Sequence, residues 1–301
     1  MDGENMENQM AFNPKPSVPN SYRKGYPKVS ISPHKKDTLI NIDLLKKMIE
    51  CTILSAYIKN EKPISLLIVA KAESGKTSAM KLYRQNKGLI YMTDCTAYGL
   101  TRDVLPKLIS GEVKTLMIAD LLTPLSKSHK TRQSFVAFLN NLIEEGIAKI
   151  TTYSTVWDKE VKANIIASVT DEALEDGRHE WAKMGFLSRF IMFTYSYSTS
   201  TVIKILEHYS EHGLTYSNET LEFPAQDVDV ELPKEIADKL NPIAMKIGEQ
   251  FKLYGIRTKI NLRSLLKALA LRNGKTAVSE GEFQEFLELA DYMNFNYNPI
   301  R

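Results

Sequence analysis

One stretch near residue 70 constrains the fold of this chain more than any other. The run ISLLIVA, at positions 64–70, is short and continuously apolar, which is typical of a strand buried on both faces of a parallel sheet. A loop of small and polar residues follows, and Lys76 and Thr77 then open a helical pattern that continues to about Gln85. This order of strand, tight loop and helix opening on Gly-Lys-Thr is the context required of a phosphate-binding loop, or P-loop.

The side chains of this loop suit the binding of a nucleoside triphosphate. Backbone N–H groups of the loop and of the helix N-terminus would surround the phosphate oxygens. Lys76 would reach the β- and γ-phosphates and the Thr77 hydroxyl would ligate Mg²⁺, so we predict ATP and Mg²⁺ as cofactors. Ala70 stands where the pattern usually has glycine, and a chance strand–helix junction is the alternative. The predicted binding loop comprises Ala70, Lys71, Ala72, Glu73, Ser74, Gly75, Lys76, Thr77 and Ser78.

A second apolar run, TLMIA at positions 115–119, ends on Asp120. An acid at the carboxyl end of a buried strand that follows a P-loop suits a carboxylate that holds Mg²⁺. The alternative is that Asp120 caps the next helix. We predict Asp120 and Thr77 as the residues that hold the metal.

Further apolar runs extend this pattern along the chain. NIIASV at positions 164–169 and FIMF at positions 190–193 continue a series of strands that alternate with helical stretches. Such alternation predicts an α/β fold with a parallel, doubly wound sheet.

Helical spacing of apolar residues marks both ends of the folded part. A helix is predicted over positions 41–57, with Asn41 available as its N-cap, and three more over 233–254, 261–272 and 279–292. Gly274 is a predicted helix stop, and Ser279 with Glu282 forms a predicted capping box. The predicted domains are therefore a disordered arm at 1–38, an α/β nucleotide-binding domain at 39–199 and a helical domain at 200–301.

The distribution of charge is more informative than its sum. Lys and Arg number 39 against 36 Asp and Glu, so the net charge of +3 says little about partners. Six Lys or Arg residues and no acid lie between Lys15 and Lys36, with Tyr22 and Tyr26 among them. A basic arm with interleaved aromatic rings suits a nucleic-acid backbone, and a solvated tail is the alternative.

Cysteines and hydropathy exclude other classes of protein. Cys51 and Cys95 have no CxxC spacing or His-rich neighbourhood, so we expect reduced thiols rather than a zinc site or a disulfide framework. No apolar run approaches the ~20 residues of a membrane span, and the polar N-terminus does not resemble a signal peptide. We expect a protein that is soluble and does not bind membranes, in the cytoplasm or associated with the nucleoid.

The order of these motifs resembles that of AAA+ ATPases, in particular the ATPase module of the minichromosome-maintenance (MCM) helicases, over roughly residues 40–295. Thr170 ends its strand where that family has the polar sensor-1 residue. The segment GFLSRF at positions 185–190 resembles the family's arginine-finger segment, which assigns that role to Arg189. The segment NLRSLLKALA at positions 261–270 resembles the lid helix that bears the sensor-2 arginine, here Arg263, although Arg257 and Arg272 compete for that role.

The resemblance implies an AAA+ domain followed by a C-terminal helical lid. It also implies a homo-oligomer, either a hexameric ring or a filament, because Arg189 would act on a neighbour's nucleotide. A hairpin predicted at 147–157 (IAKITTYSTVW) would place Lys149 and Tyr153 on DNA in a central channel, and a purely structural hairpin is the alternative. AAA+ ATPases usually have a glutamate after the metal-holding acid to activate water. This chain has Leu121, so either another acid substitutes or hydrolysis is slow.

Three functions remain open at this point. The first is a DNA-associated ATPase or helicase-like motor in the replication of a virus or mobile element. The second is a weakly hydrolysing ATP switch, such as a helicase loader or transposition regulator, which Leu121 favours. The third is a protein-remodelling ATPase that acts without DNA.

Overall fold

The computed structural model describes residues 39–144, 147–152, 155–161, 163–214 and 216–300. The strands are β1 (Leu66–Val69), β2 (Leu89–Met92), β3 (Thr115–Ile118), β4 (Ile147–Thr152), β5 (Thr155–Val161), β6 (Asn164–Val169) and β7 (Ile191–Thr194). The helices are α1 (Asp43–Ser55), α2 (Lys76–Lys81), α3 (Ala97–Gly99), α4 (Leu105–Ile109), α5 (Leu122–Leu125), α6 (His129–Glu144), α7 (Asp171–Lys183), α8 (Thr199–His212), α9 (Lys234–Glu249), α10 (Ile256–Arg272) and α11 (Glu280–Ala290). A π-helical turn covers Leu100–Val104, and a 3₁₀ turn covers Leu187–Arg189.

Five parallel strands form the central sheet, in the order β2-β3-β6-β1-β7. Four of them, β1, β3, β6 and β7, are buried along their whole length, as their apolar runs predict. Alternate residues of β1 enter different apolar clusters: Leu66 and Ile68 face one cluster, and Leu67 and Val69 face the other. Both faces of the sheet are therefore covered, and the predicted α/β class with a parallel sheet is confirmed.

The connections after β1 and β6 leave the sheet on opposite faces. Helix α2 packs Ala79 and Met80 into the cluster that contains α1 and α10, and α7 packs Leu174 and Trp181 into the cluster that contains α6. Since β1 and β6 are neighbours, their carboxyl ends form a topological switch point. In open α/β sheets such a crevice is the usual place for a ligand.

The last three helices, α9, α10 and α11, share the apolar core of the sheet, whereas α8 contributes no residue to it. Residues of α9, α10 and α11 belong to the same cluster as α1 and the inward side chains of β1, and α10 packs along α1. The predicted capping box is confirmed, because Ser279 and Glu282 exchange hydrogen bonds at the start of α11. Gly274 follows α10 at φ +71°, as a helix stop requires. The domain boundary at 199 and the function of these helices as a lid stay predictions.

A buried ion pair connects α1 to the end of α10. Glu50 is 1% exposed, and its carboxylate accepts hydrogen bonds from Arg272 Nε at 2.6 Å and from the Tyr83 hydroxyl at 2.8 Å. This pair explains Arg272 structurally, because a carboxylate this deeply buried needs a charged partner.

Other details differ from the predicted elements. Strand β2 is half-buried at the edge of the sheet and was not predicted. Helix α2 ends at Lys81 rather than near Gln85, and turns continue the chain to Asn86. Asn41 is not an N-cap: it has φ +58°, and its amide donates to the Thr201 hydroxyl at 3.3 Å.

The predicted hairpin at 147–157 is confirmed in outline. Strands β4 and β5 pair antiparallel, in a two-stranded sheet of their own directly before β6. Lys149 pairs in register with Asp158 on the facing strand, whereas Tyr153 and the arm at 1–38 lie outside the described residues. Within the described ranges, no helix has both the length and the apolar character needed to cross a membrane.

Candidate functional site

The loop between β1 and α2 is held in a tight conformation by contacts from distant parts of the chain. Gly75 has φ +80°, a conformation that favours glycine, and a Cβ there would lie 2.8 Å from Leu39 Cδ2, so the Leu39 side chain would have to shift. The Tyr195 hydroxyl donates to the Ser74 carbonyl oxygen at 2.8 Å, and Tyr195 itself is fully buried. The loop therefore rests on a rigid support from the end of β7.

The Lys76 ammonium is enclosed by this loop. Its Nζ donates to the carbonyl oxygens of Ala70 at 2.7 Å and Lys71 at 2.6 Å, and to the Ser74 hydroxyl at 3.2 Å. The residue is only 7% exposed. Burial lowers the pKa of Lys76 to about 8, against the opposing charges of Asp171 and Asp120. A charged amine is thus held inside the loop at neutral pH, at the place where a phosphate would need a cation.

Thr77 and Asp120 converge beside Lys76, as the sequence predicted for a metal-holding pair. The Thr77 hydroxyl lies 3.4 Å from the carbonyl oxygen of Ala119, the residue directly before Asp120. The Asp120 carboxylate accepts from Leu122 N at 3.0 Å and from the Thr123 hydroxyl at 3.2 Å. Both contacts lie in the first turn of α5, so Asp120 stabilises the start of that helix although Leu121 occupies its N-cap position; the metal-holding role stays a prediction.

The Thr77 hydroxyl and the Asp120 carboxylate suit Mg²⁺ that is bound together with phosphates, rather than a metal whose ligands all come from the protein. In the described part of the chain no three His, Cys, Asp or Glu side chains form a metal-binding group. Mg²⁺ typically takes one or two carboxylates together with substrate phosphates and water. One hydroxyl and one carboxylate beside a P-loop fit that pattern.

Thr170 lies at the end of β6, at the same edge of the sheet. Its hydroxyl accepts from Ala173 N at 3.3 Å and caps α7. The next residue, Asp171, is half-buried in the first turn of that helix. The structure thus brings Lys76, Thr77, Asp120 and Thr170 to one edge of the sheet, together with Asp171, which no sequence motif marks.

A cavity of about 320 Å³ adjoins the P-loop. Apart from loop residues, its lining is apolar and aromatic, and it comes from four separate parts of the chain: Leu39, Tyr197, Ile205, and Leu214 with Tyr216. Burial raises the pKa of the Tyr197 phenol to about 12, so its hydroxyl remains protonated. Such a lining suits the planar base of a nucleotide. No local pattern marks these residues in the sequence.

Arg189 lies at the opposite, amino-terminal edge of the sheet. It ends the 3₁₀ turn that lies one residue before β7, and the first residue of β7, Ile191, donates from its N–H to Ser65 O before β1. The Arg189 side chain is 18% exposed, and its guanidinium contacts the Gly185 carbonyl oxygen and the Glu144 carboxylate. The length of β1, about 13 Å, separates this edge from the P-loop.

Glu144 is shared among three cations at this edge. Its Oε2 lies 3.4 Å from Arg189 Nε, 2.8 Å from Arg257 Nε and 3.3 Å from Lys62 Nζ. Hydrogen bonds from Arg257 and the charge of Lys62 lower the pKa of Glu144, against the opposing effect of burial. The carboxylate therefore stays ionised and pairs with all three cations.

Arg263 is likewise not beside the P-loop of its own chain. Its side chain is 44% exposed and pairs with Glu61 at 3.0 Å, and Lys267 shares the same carboxylate at 2.6 Å. Glu61 precedes β1 and lines a cavity at the amino-terminal edge together with Lys62 and Glu144. Arg189 and Arg263 therefore flank one region of the surface, and their assigned roles stay predictions.

The two cysteines lie in environments that keep them as thiols. Cys51 is buried in α1, and Cys95 is half-buried after β2. Burial raises the pKa of each thiol to about 12. Neither thiol is therefore suited to act as a nucleophile at neutral pH.

Comparisons with known proteins do not assign the chain to a family. No protein-family model matches it, and a search of curated proteins finds no similar sequence.

Proposed function

We propose that this chain binds ATP with Mg²⁺ at the carboxyl edge of its sheet and acts as an AAA+-type ATPase. The observation that most strongly supports this proposal is the position of the Lys76 ammonium. Lys76 is more than nine-tenths buried, and the loop that joins β1 to α2 encloses its ammonium. A cation at the start of a helix, at a topological switch point, with Thr77 and Asp120 beside it, is suited to a triphosphate.

Each residue has a defined task in this proposal. Lys76 exchanges its bonds with loop carbonyls for bonds with phosphate oxygens. Thr77 and Asp120 hold Mg²⁺, which when bound neutralises charge on the β- and γ-phosphates. The aromatic cavity lined by Tyr197 and Tyr216 receives the base. The Thr170 hydroxyl, at the end of β6, is placed to sense the γ-phosphate.

The wider proposal is a ring or filament of identical chains that works with DNA, in the cytoplasm or nucleoid. Its support is the order of motifs resembling MCM helicases, including a hairpin directly before β6. Arg189 and Arg263 lie at the edge opposite the P-loop, so each can reach a nucleotide only on a neighbouring subunit. Such a head-to-tail contact closes into a ring or continues as a filament.

Assembly and DNA dependence test this wider proposal. We expect the particle mass, measured by light scattering, to be larger with ATP than with ADP, and ATP turnover to rise when DNA is added. Equal mass with both nucleotides would contradict the oligomer. Turnover that does not respond to DNA would contradict a DNA motor, while leaving ATP binding intact.

Mixing two inactive variants tests the role of Arg189 in trans. We expect Arg189→Ala to bind ATP but lose turnover, and Lys76→Ala to lose both. In a mixture, some interfaces combine an intact P-loop with an intact Arg189, so turnover should be partly restored. Lys62→Ala is the control for the loss of an ion pair with Glu144, because it removes a different cation from the same carboxylate. A mixture no more active than its separate components, beside an active wild type, would contradict the role in trans.

A weakly hydrolysing ATP switch is the second candidate, and one observation favours it. Leu121, which follows Asp120, is fully buried, and its N–H donates to Ser168 O at 2.9 Å. This position supplies no group to activate water. If assembly responds to ATP while turnover stays near zero with and without DNA, the switch is the better description.

A further inference from the structure

The proposed ATPase has an acid to hold the metal but none in the usual place to activate water. Leu121 packs with Leu125 in the apolar cluster beneath α6 and cannot be replaced there by another side chain without repacking. The Asp120 carboxylate is already engaged, since it accepts from Leu122 N and from the Thr123 hydroxyl. A second carboxylate would have to come from another strand.

Asp171 is placed to be that carboxylate. It follows Thr170 at the end of β6, and β6 lies between β1 and β3, the strands that lead to Lys76 and Asp120. The register pairs Val69 with Val169, so the chain leaves β1 and β6 at the same level. Asp171 is therefore at the centre of the switch point rather than at its margin.

The side chain of Asp171 is available for chemistry. It is half-buried, and among the described residues its carboxylate has neither a hydrogen bond nor an ion pair. Burial has the largest effect on the pKa of Lys76 and lowers it. The negative charge of Asp171 raises that pKa, and it does so more strongly than the charge of Asp120. Asp171 thus lies close to the ammonium that would hold the γ-phosphate.

We propose that Asp171 accepts the proton of the water that attacks the γ-phosphate, in place of the glutamate that position 121 lacks. The water oxygen forms a bond to the γ-phosphorus as the bond from that phosphorus to the β–γ bridging oxygen breaks. ADP leaves with the bridging oxygen and its electron pair. The proton passes to the Asp171 carboxylate and from there to phosphate or solvent. This inference rests on the proposed binding of ATP.

A structural role is the competing explanation, since an acid in the first turn of a helix stabilises the helix dipole. Glu172, the next residue, offers a matched control. It lies in the same first turn of α7 but is exposed, and its charge does not act on Lys76. Both Asp171→Asn and Glu172→Gln remove one negative charge from the helix start, whereas only the first removes the proposed base.

The experiment compares these two variants with the wild-type chain in the assembled, ATP-bound form. Asp171→Asn is expected to lower turnover by about 100-fold or more, the usual contribution of general-base assistance. Its dissociation constant for ATP without Mg²⁺ should be unchanged or lower, because a negative charge near the phosphates is removed. Glu172→Gln should resemble the wild type in both measurements.

The inference would be overturned by a wild-type chain that binds ATP but shows no turnover, by an Asp171→Asn variant that keeps its turnover, or by equal losses in both variants. Weaker ATP binding by Asp171→Asn would also contradict it, because the group would then hold the nucleotide rather than act on water. Failure of the wild type to bind ATP would instead contradict the proposed function itself, so the two failures are distinguishable.

Discussion

Replacing Arg272 with methionine is expected to lower the free energy of unfolding by about 3–5 kcal/mol, the usual cost of removing one partner of a buried ion pair. Methionine keeps most of the aliphatic volume, so the loss would come from the charge. Glu50, which is 1% exposed, would lose its cation. Of its two hydrogen-bond donors, Arg272 and Tyr83, only the Tyr83 hydroxyl would remain. Urea denaturation followed by circular dichroism measures the change.

Two further variants isolate the cause of this loss. Combining Arg272→Met with Glu50→Leu removes both charges and should restore part of the lost stability, because no uncompensated carboxylate remains. Arg102→Met is the control, since Arg102 pairs with Asp103 on the surface and should leave the denaturation midpoint unchanged. If Arg272→Met unfolds at the same urea concentration as the Arg102→Met control, the pair does not stabilise the fold as described.

The parts of the fold that the sequence predicts are those with continuous apolar runs. Strands β1, β3, β6 and β7 are buried along their whole length, so most of their residues are apolar and their positions are evident. Strand β2 is half-buried at the edge of the sheet, yet it too has a short apolar run, LIYM, between Gly88 and Thr93, so the sequence carries a signal for this strand as well. Helix α2 is shorter than its apolar spacing predicts: it ends at Lys81, and turns continue the chain to Asn86.

The candidate site divides in the same way. The P-loop is a contiguous segment, and Asp120 and Thr170 end buried runs, so all of them follow from local patterns. The supports of the loop do not, because Tyr195 meets Ser74 across 121 positions of the chain and Leu39 approaches Gly75 from the other side. Asp171 cannot be predicted for a different reason. An acid at the start of a helix is common in any protein, and only the fold shows that this one lies near Lys76.

The predicted roles of the two arginines, Arg189 and Arg263, rest on the resemblance to a family and not on a local sequence pattern. In the structure each forms an ion pair, Arg189 with Glu144 and Arg263 with Glu61. Both ion pairs lie at the edge opposite the P-loop, so neither arginine is beside the P-loop of its own chain. Only an assembled form can test the predicted roles.

Replacing Lys76 with alanine is expected to weaken ATP binding by about 100-fold or more. Hydrogen bonds to charged groups each contribute about 1.5–3 kcal/mol, and a tenfold change in affinity corresponds to about 1.4 kcal/mol. Losing two such bonds to the phosphates therefore reaches that range. The fold should persist, because the ammonium contacts only its own loop through Ala70, Lys71 and Ser74.

Two variants control for indirect effects. Lys76→Met keeps the aliphatic part of the side chain and removes only the charge, so it should lose affinity to the same extent. Lys81→Ala removes an exposed lysine from the other end of α2 and should bind ATP as the wild type does. Equal denaturation midpoints for all three variants would show that any loss of binding is local.

Isothermal titration of ATP into the wild-type chain and into Lys76→Ala, with Mg²⁺ present, tests the central claim most directly. The proposed site predicts one saturable binding event per wild-type chain, and a dissociation constant raised by about 100-fold or more in the variant. Absence of ATP binding to the folded wild type, or the same dissociation constant in Lys76→Ala, would contradict the assignment of this loop as a nucleotide site.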